Sequence, residues 1–124
     1  MKNYFKDHET TCKCGCGENN ISNKFMEKLN RTRAIAGIPF MPTSFCRCKK
    51  HNRAVGGKED SEHISCKESN VECEAVDIQA TNSRARYTVI QSAILCGFNR
   101  IGIGKDFIHL GNSSTKAQEV IWLY

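Results

Sequence analysis

Apolar positions recur with two different periods along this chain, and each change of period marks an element. In SNKFMEKLNRTRAIAG, Phe25, Leu29 and Ala36 fall at helical spacing, with Met26 and Arg33 alongside. Ser22 or Asn23 offers a capping side chain, and Gly37 and Pro39 end the pattern. The spacing therefore predicts an amphipathic helix. ARYTVIQSAILCGF predicts a second, from about Ser83 to Cys96, stopped by Gly97. PFMPTSFCRC predicts a short strand after Pro42, and CEAVDIQA predicts another. RIGIGKDFIHLGN and EVIWLY predict two more strands. HNRAVGGKEDSEH reads as a loop with Gly56-Gly57 at its tip, and residues 1–20 as a polar, turn-rich segment ending in CKCGCGENN. Helix then strands, helix then strands, predicts an α+β fold: a mostly antiparallel sheet packed with two main helices, in one domain spanning 1–124.

The period-two runs also sort side chains by face. Ala75, Asp77 and Gln79 share one face of their strand, while Val76, Ile78 and Ala80 line the other. Phe107 and His109 likewise share a face opposite Ile108 and Leu110. Each strand thus carries one metal-competent group over an apolar underside. His63, arriving from a loop, would complete two histidines and a carboxylate with a fourth position open, which is a donor set for catalytic zinc. The same residues have a plainer reading, as a hydrogen-bonded strand histidine and an aspartate that ends a turn.

Composition narrows the classes. The formal charge is +5, but the basic residues are scattered among acids, and no dense basic run or nucleic-acid module is present. No nucleic-acid partner is expected. No apolar run reaches the length of a membrane span, and the opening MKNYFKDHETTC has no apolar stretch behind its charges. Synthesis and first retention in the cytosol, with no membrane partner, are the expectation. Eight cysteines are many for 124 residues. They fit a disulfide framework in an oxidising compartment, or metal binding and redox chemistry in a reducing one.

The stretch TSFCRCKKHNRAVGGKEDSEH resembles the S-G-Y-R-C-x-x-H-N-x-x-V-G-G-x-x-x-S-x-H signature of the zinc D-alanyl-D-alanine carboxypeptidases, in their small phage-type branch. CEAVDI is similar to that family's G-x-A-x-D-I, and GFNRIGIGKDFIHL to its G-x-x-R-I-G-I…F-I-H-V-D. The N-terminal CKCGCG before a helix also fits. The resemblance implies a fold shared with D-Ala-D-Ala dipeptidases and the Hedgehog signalling domain. It implies one Zn²⁺ held by His63, Asp77 and His109. It further implies Arg47 as the residue that clamps substrate and offsets charge in the transition state, Ser61 as a substrate contact, and Asp106 as general base. The substrate class implied is a D-amino-acid-containing peptide of peptidoglycan, cut as by a carboxypeptidase or endopeptidase. The protein would act as a monomer, on the cell wall after release or as part of a virion.

Two departures stand against that pattern. Gly111 occupies the place of an aspartate that follows the second histidine in the family, and thirteen residues, 64 to 76, separate His63 from Asp77, a longer interval than the family has. These departures keep open a catalytically silent zinc-binding domain of the same fold, which would bind wall or protein ligands. A cysteine-rich metal-binding protein without peptidase activity is a third reading. Cys66 and Cys73 lie near the ends of the long interval, and their placement predicts a thiol pair or disulfide at its neck. Cys12, Cys14 and Cys16 form C-x-C-x-C, and Cys46 and Cys48 form C-x-C. A thiolate metal site, a redox pair and small packed thiols all remain open for them, although C-x-C is not the usual structural-zinc spacing. In the family pattern the partner implied for Cys48 is a cysteine of the CKCGCG loop, and Cys96 is expected in the core.

Overall fold

The computed structural model describes residues 2–124, and its core forms on the apolar stripes that the sequence marks. A short helix α1 (Asp7–Thr10) precedes α2 (Asn23–Ala36). Ser22 caps α2 by accepting a hydrogen bond from the Phe25 N–H at 3.2 Å. Gly37 ends it with φ +67°, a left-handed conformation that glycine adopts without strain. Strand β1 (Pro42–Ser44) follows, then α3 (Lys49–Ala54), β2 (Ala75–Gln79) and α4 (Ser83–Leu95). The chain continues with β3 (Arg100–Ile103), β4 (Phe107–Gly111) and β5 (Val120–Leu123).

The five strands form one mixed sheet in the order β1-β2-β4-β3-β5. Only the β3–β5 pair is parallel, so the α+β expectation holds, with a sheet mostly but not wholly antiparallel. Two sequence expectations need correction. RIGIGKDFIHLGN is not one strand but two antiparallel ones, β3 and β4, turning through Gly104–Asp106. HNRAVGG is not all loop, because Lys49–Ala54 is helical and Cys48 caps it by accepting from the His51 N–H.

The face opposite Asp77 and His109 builds the core. Val76, Ile78, Ile101, Ile108 and Leu110 are buried there with Phe25 and Leu29 of α2 and Val89 and Ala93 of α4. Phe25 sits at its centre, meeting the rings of Phe45 and Phe98 edge-on at 6.0 and 5.9 Å. Such edge contacts add roughly 0.5–1.5 kcal/mol beyond burial. Cys96 is half-buried at the end of α4 rather than in the core.

The long interval after His63 is held along both sides. Arg47 N–H donates to the His63 carbonyl at 2.9 Å, and Ser65 N–H to the Arg47 carbonyl at 2.8 Å. Cys66 pairs with Val71 across a tight turn that includes Asn70 in the left-handed region. Cys73 then pairs with Ile21, its N–H donating to the Asn20 carbonyl at 2.7 Å. The Cys66–Cys73 pair expected from the sequence is absent. Cys66 Sγ faces Ser69, whereas Cys73 points into the core beside Cys46. The neck is closed by the Cys66–Val71 backbone pair instead of by sulfur.

Phe25→Ala is expected to lower unfolding free energy by about 3–5 kcal/mol, because it opens a cavity between both helices and the sheet. A denaturant titration of the two proteins measures this difference.

Candidate metal centre

The antiparallel register of β2 and β4 sets Asp77 directly across from His109, both on the polar face. His63 reaches the same point from the segment that runs beside Arg47. His63 Nε2, Asp77 Oδ1 and His109 Nδ1 converge, all within 4.8 Å of one another. The two histidines stand 3.2 and 2.9 Å from the same Asp77 oxygen. Donors about 2.0–2.1 Å from a tetrahedral zinc lie roughly 3.3–3.4 Å apart, so the spacing fits.

The tautomers fit as well. His63 Nδ1 lies 2.7 Å from the Phe45 carbonyl, which can only accept, so the ring proton is on Nδ1. The Nε2 lone pair of the neutral ring then faces a carboxylate oxygen, acceptor against acceptor. Such a buried contact needs a cation between the two atoms. On His109 the nitrogens exchange roles: Nε2–H donates to Glu62 Oε2 at 2.8 Å and turns Nδ1 to the centre.

Electrostatics separate the groups. Burial holds the His63 imidazole below its ordinary value, against the pull of Asp77. Burial also acts to lower His109, but its hydrogen bonds to Asp77 and Glu62 outweigh this and raise it. Burial would raise both carboxyls, yet the histidine hydrogen bonds hold Asp77 well below the usual carboxylate range. His109 and Arg100 hold Glu62 at about 2.

Arg47 enters from the β1 side, as expected. Its guanidinium lies 3.5 Å from Asp77 Oδ2 and donates to Ser44 Oγ at 2.9 Å and to Asn52 Oδ1 at 3.2 Å. Cys46 and Cys48 point away from the centre, one into the core and the other toward Cys14. Ser61 accepts from the His63 N–H at 3.2 Å and lines a cleft of about 410 Å³ that also includes Glu62, Glu72, Glu74 and Ser113. Asp106 does not join the converging group. Its carbonyl accepts from the Ala80 N–H at 2.8 Å, and its side chain is exposed at the turn entering β4.

Three contributors were not legible in the sequence. Glu62 is buried, pairs with Arg100 Nη2 at 3.2 Å, and fixes His109. It fills the space above Gly111: a Cβ built there would come within 2.0 Å of Glu62 Oε2. The carboxylate missing at position 111 is thus supplied from the loop beside His63. Asn52 is buried and orients Arg47 while donating to the Lys58 carbonyl at 2.8 Å. Trp122 stacks near His109, ring centroids 5.4 Å apart, over Gly102, where any Cβ would meet the indole at 2.8 Å. Side-chain identity alone hints at Glu62 and Asn52 only as polar neighbours of a histidine and an arginine.

The family model described as Peptidase M15 matches residues 3–111. That span contains every residue of the centre, and only Trp122 of the groups described here lies beyond it. No curated protein matches the chain.

Two outcomes follow from this geometry. Glu62→Ala is expected to weaken zinc binding by about 10–100-fold in a chelator competition. Gly111→Asp should lower the melting temperature in the wild-type background, yet recover zinc affinity when combined with Glu62→Ala. The second outcome concerns pH. Zinc must displace the proton that Asp77 and Glu62 hold on His109, so affinity should be full above the raised His109 pKa. Below it, affinity should fall about tenfold per pH unit. Titration calorimetry in buffers of different ionisation enthalpy reads the released proton directly.

Proposed function

This chain belongs to the M15 family of zinc D-Ala-D-Ala carboxypeptidases, and we propose that it is a zinc peptidase that hydrolyses D-amino-acid-containing peptides of peptidoglycan. The observation that carries this reading is the convergence of His63 Nε2, Asp77 Oδ1 and His109 Nδ1 on one point beside a cleft. The architecture is consistent with the fold of D-Ala-D-Ala dipeptidases and Hedgehog signalling domains.

Zinc bound to these three residues would supply a water acidified from about 15.7 to roughly 7 and a Lewis acid for a peptide carbonyl. The protein's own groups do the rest. Arg47, held by Ser44 and Asn52, presents its planar fork to a carboxylate or a developing oxyanion. Ser61 positions the peptide where the cleft meets the centre. Asp106 is the proposed proton carrier, taking the proton of the attacking water and delivering it to the leaving amine. Its carboxylate makes no side-chain hydrogen bond among the described residues, which leaves it free to exchange protons. Glu62 is unsuited to that task, since a carboxyl held at about 2 is a weak base at neutral pH. Whether the cut falls at a terminal D-alanine or within a cross-link depends on what the cleft accepts. No helix among the described residues is long and apolar enough to cross a membrane, and action on the wall after release or from a virion is part of the proposal.

The test is digestion of purified peptidoglycan with the zinc-loaded protein. Release of D-alanine or of cross-link fragments supports the reading. Asp106→Ala should retain zinc and lose roughly 10²–10⁴-fold in turnover. His63→Ala should lose zinc from this centre along with activity. A fully zinc-loaded wild type that leaves peptidoglycan unchanged would instead establish the silent binding domain.

A further inference from the structure

A second group of metal-competent atoms lies outside the centre and has no part in the proposed chemistry. Cys12, Cys14, Cys16 and Cys48 bring four Sγ atoms within 4.8 Å of one another. Cys12 and Cys14 sulfurs are 3.5 Å apart, and Cys14 and Cys48 sulfurs 3.7 Å apart. Four thiolates about 2.3 Å from a tetrahedral zinc have sulfurs roughly 3.8 Å apart. A disulfide would need about 2.05 Å.

The C-x-C spacing gives no hint of this in an extended chain. Left-handed conformations at Gly15 (φ +88°) and Gly17 (φ +83°) resolve the difficulty. They curl the loop back on itself, so that Cys12 N–H meets the Glu18 carbonyl at 2.9 Å and the three sulfurs gather on one side. Cys48 then arrives from 34 residues away to complete the set. Backbone N–H groups already point at three of the sulfurs. Cys48 N–H donates to Cys12 Sγ at 3.4 Å, His51 N–H to Cys48 Sγ at 3.3 Å, and Glu18 N–H to Cys16 Sγ at 3.4 Å. Such donors stabilise thiolate charge and orient the ligands. Lys13, Lys49 and Lys50 adjoin the ligands in sequence and offset the net negative charge of a four-thiolate zinc.

We propose that Cys12, Cys14, Cys16 and Cys48 form a second, structural zinc site, closed to substrate and independent of the centre at His63, Asp77 and His109. Four soft ligands with no open position select zinc over hard cations and leave no place for a reacting water. The ion would tie residues 12–16 to the residue that follows Arg47. It would thereby brace the arginine that reaches Asp77.

The test uses the full-length His63→Ala protein, expressed with zinc and purified anaerobically. It should retain about one zinc per chain. Exchange of that ion for cobalt should give intense thiolate-to-cobalt charge-transfer bands. Adding Cys14→Ser, at an exposed position that leaves the core untouched, should weaken or abolish both signals without changing the circular dichroism. If His63→Ala fails to fold, the wild type serves. It should hold two zinc ions, one released as a mercurial reagent titrates the thiols and one not. Absence of a tightly held metal in folded His63→Ala, cobalt bands without charge transfer, a single mercurial-insensitive zinc in the wild type, or a Cys48 disulfide in the anaerobic protein would each overturn the site.

Discussion

The Asp77 carboxylate sits in the middle of a sheet, buried, with two imidazoles on one oxygen and a guanidinium near the other. An isolated carboxylate in such a place costs far too much to keep ionised. It persists because every neighbour is a cation or a donor, and the surrounding architecture exists in the form that brings those neighbours to it. The register of β2 against β4 is the first requirement. A slip of one residue would turn Asp77 and His109 into the core and expose Val76 and Leu110. Burial of Val76, Ile78, Ile108 and Leu110 against the helices therefore determines the position of the polar face above them. Core packing and site geometry are two faces of one register.

The supports around Asp77 form a chain of partners. Phe45, whose ring anchors the core, offers its carbonyl to His63, so a core residue sets the tautomer of a ligand. Arg100 neutralises Glu62, and Glu62 sets the tautomer of the other ligand. Buried groups coupled in this way respond together. Removing one partner leaves a charge stranded, which costs roughly 3–5 kcal/mol. The Gly111 space and the Glu62 side chain are complementary in the same sense: the carboxylate has moved from the strand to the loop, and the strand has lost a side chain to make room. The apparent defect at position 111 is half of an exchange.

Alternation along CEAVDIQA and DFIHLG was enough to place Asp77 and His109 on one face, because period two is a local property of extended backbone. The capped α2 was equally legible, since Ser22 and Gly37 act on their own neighbours. What failed to show were partners set by tertiary approach. Glu62 precedes His63 by one residue, and nothing local tells that a turn directs both side chains toward β4, 47 residues away for Glu62. Asn52 looked like a loop residue until the helical turn of Lys49–Ala54 aimed it at Arg47. The β3–β4 hairpin was read as one strand because GIGKD carries only glycine as a break, and glycine occurs within strands too. Cys66 and Cys73 invited a bridge by their positions at the ends of the interval, but backbone pairing with Val71 and Ile21 had already closed it.

That interval raises a physical question that the ligands alone do not answer. Doubling a flexible loop costs only about 0.6 kcal/mol in closure entropy, so length is no obstacle to His63 and Asp77 meeting. Looseness is, because a metal centre tolerates errors of only tenths of an ångström. The slack is removed from outside the interval, by residues 18–22. Glu18 accepts from Ser65 Oγ at 2.8 Å and from the Lys67 N–H at 3.1 Å, Asn20 N–H donates to Ser65 Oγ at 2.8 Å, and Ser22 N–H donates to the Cys73 carbonyl at 3.1 Å. Each of these bonds lies just beyond the cysteine loop, and Glu18 also closes that loop through Cys12 and Cys16. The N-terminal segment is therefore part of the scaffold of the centre. Anything that stiffens the cysteine loop stiffens Glu18, and through Glu18 the approach of His63 to Asp77.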